Sequence, residues 1–263
     1  VTRRRLDVEL VRRHLARSRE QAQELIADGL VIVGGMIATK AASQVDETAG
    51  IKVNLDPDED YVSRGAHKLI GALDAFGIDV AGLVALDAGA STGGFSDVLL
   101  RRGIAQIYCV DVGYGQLAWK VSQDPKVTVM DRTNIRYLTP ETLGAKVDLI
   151  VADLSFISLE TVLPALVSVL NPAGQVLLMV KPQFEVGKDA LGPGGVVQDN
   201  AQRIESVNKI AGKAFSLGLG TAGVVASPLP GPSGNVEYFL WLKPGSPAPQ
   251  ESDVERAVQE GPQ

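Results

Sequence analysis

Five apolar runs, at residues 83–88, 106–111, 127–130, 147–153 and 175–180, restrict more than any other feature what this chain can fold into. Each has the length of a strand, and stretches between them, such as 93–102 and 159–170, carry apolar residues at helical spacing. Strands that alternate with helices lie side by side through crossover connections. The expected fold is therefore α/β, a mostly parallel sheet covered by helices, with ligands at the carboxyl ends of the strands. Two further runs, 222–226 and 236–242, are separated by Pro228-Leu229-Pro230-Gly231-Pro232-Ser233-Gly234, which is too short for a crossover helix. They are expected to close the sheet as an antiparallel C-terminal hairpin.

At 263 residues the chain has room for one such domain and a small appendage. No apolar run approaches the ~18 residues of a membrane helix. The basic start Val1-Thr2-Arg3-Arg4-Arg5 is followed by Asp7, Glu9, Arg12 and Arg13, where a signal peptide needs apolar residues. A cytoplasmic protein without stable membrane association is expected. A single cysteine, Cys109, and two histidines, His14 and His67, can build neither an internal disulfide nor a zinc-type cluster, so no metal is expected and both histidines read as structural.

The formal net charge of −6 argues mildly against nucleic acid, but the charge is unevenly distributed. Arginines at 3, 4, 5, 12, 13, 17 and 19 crowd the first turns, and the acidic residues cluster later, at 46, 47, 56, 58, 59 and 60. Leu6, Leu10, Val11 and Leu15 recur at helical spacing, and Ser18 can cap a second helix in which Ala22, Leu25 and Ile26 form the buried stripe. Residues 30–39 read as a hairpin turning at Gly34-Gly35. Arg17, Ser18 and Arg19 sit at the junction of the helices, so two guanidinium groups and a helix N-terminus can face one phosphate. Here the string Arg5-Leu6-Asp7, Ser18-Arg19, Ala22, Ile26, Gly29, Val31, Val33, Gly35 and Lys40 resembles the S4-like RNA-binding module, with Gly34 where an asparagine is usual. The resemblance implies a small α+β domain over residues 1–55 that recognises structured RNA by shape and phosphate contacts, through Arg3, Arg4, Arg5, Arg17, Arg19 and Lys40. The acidic, proline-containing segment 56–62 reads as a linker.

After the first strand of the larger unit comes Asp87-Ala88-Gly89-Ala90-Ser91-Thr92-Gly93-Gly94-Phe95. Gly89 allows a tight turn, and Gly93-Gly94 let the backbone approach a ligand at a helix start. Asp111 ends the next strand, about 20 residues beyond the loop, where an acid binds a cofactor ribose. Loop and acid together point to a nucleotide-like cofactor, with Asp131-Arg132-Thr133-Asn134 near its base.

Four charged residues stand where chemistry is expected: Lys68 on the helix after Ser63, Asp153 and Lys181 at strand ends, and Glu237 near the start of the final strand. In that order they resemble the Lys-Asp-Lys-Glu set of the FtsJ-like ribose 2′-O-methyltransferases. The strings Val62-Ser63-Arg64-Gly65-Ala66-His67-Lys68-Leu69, Asp153-Leu154-Ser155-Phe156-Ile157-Ser158, Lys181-Pro182-Gln183-Phe184-Glu185 and Gly231-Pro232-Ser233-Gly234-Asn235-Val236-Glu237 extend the match. With the N-terminal module, nearly the whole chain resembles the TlyA family of ribosomal RNA cytidine 2′-O-methyltransferases, whose members also carry the name hemolysin. The resemblance implies a Rossmann-like methyltransferase domain over residues 63–245, followed by a tail at 246–263. It also implies S-adenosylmethionine held by Gly89, Ser91, Gly93, Gly94, Phe95, Asp111, Asp131, Asp153 and Phe156, with catalysis by Lys68, Asp153, Lys181 and Glu237. Ribosomal RNA within ribosomal subunits is the implied partner, and Arg64, Arg132, Arg136 and Lys188 are candidates for guiding it.

A ribose hydroxyl is a poor nucleophile and a sulfonium methyl group is already activated, so the enzyme must chiefly align the two and manage one proton. Lys181 is the candidate base or hydroxyl orienter. As a base it must first lose its own proton, which burial and a neighbouring cation favour and ion pairing opposes. Other acceptors fit less well: Cys109 lies inside an apolar run, unlike a nucleophile for cytosine C5, and Leu154-Ser155-Phe156 replaces the Pro-Pro-aromatic string of exocyclic-amine methyltransferases. Two other readings stay open, a membrane-acting hemolysin and a non-catalytic RNA-binding assembly factor.

Overall fold

The computed structural model describes residues 3–16, 18–27, 29–53, 61–187, 191–231 and 234–261, and it divides into two compact units, Val1–Asp60 and Tyr61–Gln263.

The first unit runs β1 (Arg3–Arg5), α1 (Leu6–Arg12), α2 (Arg19–Ala27), β2 (Val31–Val33), β3 (Met36–Ile37), β4 (Gln44–Asp46) and β5 (Ile51–Val53). Leu6 and Leu10 of α1 meet Ala22, Leu25 and Ile26 of α2, and Val31 and Val45 close this core. Ser18 Oγ accepts the Gln21 N–H at 3.1 Å, which caps α2. Gly34 and Gly35 turn the β2–β3 hairpin, both at positive φ, as a two-residue turn of this hand requires. The unit has more strands than the helix, helix, hairpin order expected from sequence: β5 extends the hairpin to β3-β2-β5, and β1 pairs with β4. The arginine strand β1 has no apolar alternation to betray it. It is held by backbone pairing and by opposite charge across the ladder, with Arg3 facing Asp46.

The second unit contains α3 (Gly65–Phe76), β6 (Val84–Ala88), α4 (Gly94–Arg101), β7 (Gln106–Val110), α5 (Trp119–Ser122), β8 (Val127–Met130), α6 (Pro140–Leu143), β9 (Val147–Ala152), α7 (Leu159–Ser168), β10 (Leu170–Val180), α8 (Pro182–Glu185), α9 (Asn200–Ser216), β11 (Gly220–Ala226), β12 (Tyr238–Lys243) and α10 (Glu251–Glu260). Its sheet has the order β11-β12-β10-β9-β6-β7-β8. The strands β6 to β10 are parallel, and β12 lies antiparallel between β10 and β11. The mostly parallel sheet with an antiparallel end is thus the one expected. From β6 the chain moves outward to β7 and β8, then returns to the other side of β6 as β9. The gap between the carboxyl ends of β6 and β9 is where ligands bind in sheets of this topology.

Helix α9 carries Val207, Ile210, Ala211 and Ala214 into the core on one face of the sheet. The segment read from sequence as a tail belongs to the same core: Val254 and Val258 of α10 are fully buried against it. Their spacing of four residues places them on one helix face, and that short stripe suffices once a sheet edge is available to cover. Among the described residues no helix is long and apolar enough to cross a membrane, and no group of three or more side chains is placed to hold a metal ion.

Candidate active site

The turn after β6 is built by a glycine that nothing else can replace. Gly89 has φ 86°, and a Cβ there would lie 2.7 Å from the Asp153 carbonyl oxygen. Glycine thus lets the ends of β6 and β9 touch, and the Asp153 N–H donates to the Ala88 carbonyl at 3.1 Å. At Gly93, φ 93°, an added Cβ would meet Leu117 Cδ1 at 2.8 Å, so the loop after β7 closes directly over the start of α4. Among the described residues the positive-φ side-chain-bearing positions of this unit are Ser91, Arg132 and Phe156, in the loops after β6, β8 and β9. Backbone strain of this kind gathers at ligand sites.

Asp111 joins these loops. One oxygen accepts the Ser91 N–H at 2.9 Å and the other accepts the Gly113 N–H at 2.7 Å. Each oxygen keeps a lone pair for a hydroxyl donor, as a ribose-binding acid requires. Asp131 shapes the neighbouring wall, with Oδ2 accepting the Gly115 N–H at 2.9 Å. Beneath the turn Asp87 is almost completely buried, and Ser96 Oγ donates to its Oδ2 at 2.6 Å. Burial, with the charges of Asp153 and Asp111 adding to it, pushes the Asp87 carboxyl up to about 7. Its Oδ1 is buried and without a hydrogen-bond partner among the described residues. Three carboxylates around a glycine turn, one of them incompletely satisfied, suit a ligand that brings positive charge and ribose hydroxyls.

Lys181 immediately precedes α8, where Pro182 occupies the first helical position. Its Nζ lies 2.6 Å from Asp153 Oδ1 and donates to Ser155 Oγ at 3.0 Å. In the first turn of α3, Lys68 Nζ donates to Glu237 Oε2 at 2.5 Å. Gln183 Nε2 donates to the other Glu237 oxygen at 3.4 Å, and a Cβ at Gly231 would come within 2.7 Å of that oxygen. The four charged residues named from sequence therefore form two ion pairs at the mouth of the sheet. Glu185, also in α8, accepts from Ser158 Oγ at 2.6 Å and from the Leu159 N–H at 2.8 Å, tying α8 to the start of α7. Its carboxyl is raised by burial. Ser155, Gln183, Glu185 and Asp87 were not singled out in the sequence. Each lies inside a motif string, but only folding shows what its side chain meets.

Residues 61–244 match the FtsJ-like methyltransferase family, and residues 4–51 match the S4 domain. A Mycobacterium tuberculosis protein named 16S/23S rRNA (cytidine-2′-O)-methyltransferase TlyA is 57% identical over 263 residues, covering 98% of each chain.

The chain belongs to the TlyA family.

Another relative, YqxC of Bacillus subtilis, named an rRNA methyltransferase, is 39% identical over 97% of this chain and 93% of its own. A solved structure from Streptococcus thermophilus that carries the name hemolysin superimposes with a TM-score of 0.79 at 35% identity, over 98% of this chain and 95% of that one.

Within this TlyA-family chain one expected cofactor residue is placed elsewhere. Phe95 is 4% exposed and its ring lies 6.1 Å from that of Phe239, so it packs α4 onto the sheet instead of lining the cofactor turn. It follows Gly94 at the start of α4, and the inward face of an amphipathic helix claims it. Phe156 is the opposite case, 90% exposed with its ring 5.1 Å from that of Phe184. Of the residues expected to hold RNA, Arg3, Arg5, Arg19, Lys40, Arg132 and Arg136 are exposed, while Arg4 and Arg64 are partly so. Arg5 and Arg19 also clasp the buried Asp7, at 2.9 and 3.1 Å, and Arg4 Nη1 lies 3.4 Å from Glu47. Arg132 stacks over the Tyr114 ring at 4.3 Å. Arg17, Lys188 and most of the linker lie outside the described residues.

Proposed function

We propose that this protein transfers the methyl group of S-adenosylmethionine to the 2′-hydroxyl of a cytidine ribose in ribosomal RNA, acting in the cytoplasm on ribosomal subunits. The observation that carries the reading is the contact of the Lys181–Asp153 pair with the glycine turn. The Asp153 backbone meets Gly89, while its side chain holds Lys181 Nζ at 2.6 Å.

S-adenosylmethionine supplies, when bound, a methyl group activated on a sulfonium. Gly89, Ser91, Gly93 and Gly94 would let it approach the backbone, Asp111 would accept from its ribose hydroxyls, and Asp87, Asp153 and Asp131 would complement its positive charge and adenosine. Phe156, exposed and with its ring 5.1 Å from that of Phe184, is a platform for a flat ring. Lys181 has three N–H donors, and among the described residues Asp153 and Ser155 engage two of them. The third is available to hold the target oxygen, which favours Lys181 as an orienter. An oxygen that has just gained a methyl group while still protonated is strongly acidic, so the proton departs without a strong base. Holding oxygen and methyl group in line then supplies most of the acceleration. Lys68 and Glu237 would fix the opposite wall.

The S4-like unit, residues 1–55, is assigned to anchoring RNA through Arg3, Arg4, Arg5, Arg17, Arg19 and Lys40, with 56–62 as the linker. Arg64, Arg132, Arg136 and Lys188 would guide the strand on the unit spanning 63–245. Incubation with labelled cofactor and separated, unmodified ribosomal subunits, followed by mapping of the methylated residue, tests the proposal. Lys181→Ala is expected to bind cofactor normally and transfer no label. Wild-type transfer by that variant would refute the assignment of Lys181.

A further inference from the structure

The two ion pairs come from distant parts of the chain, and methyl transfer needs them held at a fixed separation. Among the described residues Gln183 is the side chain of α8, the helix that follows Lys181, that reaches the second pair. It lies two positions beyond Lys181 in α8, and its Nε2 reaches the Glu237 oxygen that Lys68 does not occupy, at 3.4 Å. A carboxylate only accepts hydrogen bonds, so Glu237 dictates which end of the amide faces it and turns Oε1 the other way. That oxygen is buried and has no partner among the described residues. Buried amide oxygens are nearly always hydrogen-bonded, and one that meets no protein donor calls for an account beyond packing.

We infer that Gln183 is a further positioning residue for the methyl transfer, locking the Lys68–Glu237 pair to the turn that carries Lys181. The inference rests on the proposed roles of those charged residues. Glu185 fixes the far end of the same short helix at Ser158 and Leu159, so α8 is pinned on both sides and Gln183 is its contact with Glu237. Loosening that contact lets the Lys68–Glu237 wall drift relative to Lys181 without removing any charge.

The test uses the full chain with Gln183→Met, which keeps length and volume, and Gln183→Glu, which keeps shape. For the methionine variant kcat is expected to fall roughly 10- to 100-fold, the scale of a small misplacement in an aligned site. Its affinity for S-adenosylmethionine and its unfolding midpoint should be unchanged or, for the midpoint, raised. In the glutamate variant the introduced carboxyl repels Glu237 when ionised and donates to it when protonated. Its activity relative to wild type should therefore climb as pH falls from about 8 to about 6. A methionine variant with wild-type kcat overturns the inference. So does a kcat loss that tracks a lowered unfolding midpoint with no recovery of the glutamate variant at low pH. Lys181→Ala, run alongside, separates the two levels. An inactive Lys181→Ala beside a fully active Gln183→Met rejects the Gln183 role alone, while an active Lys181→Ala removes the catalytic assignment and this inference with it.

Discussion

Lys68 and Glu237 stand 169 positions apart in the chain and 2.5 Å apart in space, with side chains only 10% and 1% exposed. Removing one partner of such a pair leaves a buried charge unanswered, at a cost of about 3–5 kcal/mol. Glu237→Ala is therefore expected to lower the unfolding free energy of the larger unit by that amount, read by urea denaturation. Lys68→Met combined with Glu237→Leu should restore most of the stability and none of the methyl transfer. A double variant as unstable as Glu237→Ala alone would mean that the charges are not what the site must satisfy.

Asp111 is expected to govern cofactor affinity through the shape of the loops as well as by direct contact. Both its oxygens hold backbone N–H groups, from Ser91 and Gly113. Asp111→Asn presents an NH2 group to one of them. Hydrogen bonds to a charged acceptor are worth about 1.5–3 kcal/mol, so the dissociation constant for S-adenosylhomocysteine should rise roughly 10- to 100-fold. Titration calorimetry measures this, and an unchanged constant would exclude Asp111 from the cofactor site.

The buried Asp87 makes binding and stability depend on pH in opposite senses. Its carboxyl, ordinarily at 3.8, is raised to about 7, chiefly by burial. Between those values the folded protein keeps a proton that the unfolded chain has released, so this group's contribution to stability declines as pH rises through that window. A cationic ligand favours the ionised form. Affinity for S-adenosylmethionine should therefore increase as pH rises past about 7, and more than affinity for S-adenosylhomocysteine, which lacks the sulfonium charge. Asp87→Asn should flatten both slopes, and parallel slopes in variant and wild type would show that another group titrates.

The larger unit was legible because its strands are apolar runs and three of its four charged residues, Asp153, Lys181 and Glu237, sit at their ends. Val147–Ala152 is continuous apolar sequence apart from Asp148, and Asp153 follows at once. The antiparallel end was readable from the length of the 228–234 segment alone. What was hidden depends on tertiary partners: β1 is three arginines, α10 has a short stripe, and Phe95 looks like a loop aromatic until α4 turns it inward. Gln183 and Glu185 belonged to a recognisable string, yet an amide and a carboxylate two residues apart do not disclose that one meets Glu237 and the other the start of α7.

Acid should weaken the N-terminal unit first at α1. Glu9 is fully buried under Arg12 and Arg13, whose hydrogen bonds and charges hold its carboxyl at about 2 against an ordinary 4.5. Asp7 is depressed too, mainly by the Arg5 hydrogen bond. Groups with lowered values stabilise the fold above their unfolded values, and that stability is lost as pH falls through the folded ones. Hydrogen-exchange protection of the α1 amides is expected to be full near pH 5 and to fade between about 4.5 and 2. Glu9→Gln should fade less steeply, and an identical profile for the variant would assign the acid response elsewhere.

The arginines of this unit should separate into two kinds. Arg13 donates to the carbonyls of Ala49, Asp46 and Glu47 at 2.6, 3.2 and 2.8 Å, closing the β4–β5 turn onto α1. Arg3 and Lys40 are exposed on the surface. Arg13→Ala is thus expected to destabilise the unit, whereas Arg3→Ala and Lys40→Ala should leave its unfolding midpoint alone and weaken RNA binding. Every phosphate that a variant no longer neutralises reduces the slope of log affinity against log salt by about 0.7–0.9. Filter binding to ribosomal RNA from about 50 to about 200 mM salt reads that slope. Unchanged slopes for Arg3→Ala and Lys40→Ala would place the RNA on another face, because a cation that touches no phosphate releases no counterion when it is removed.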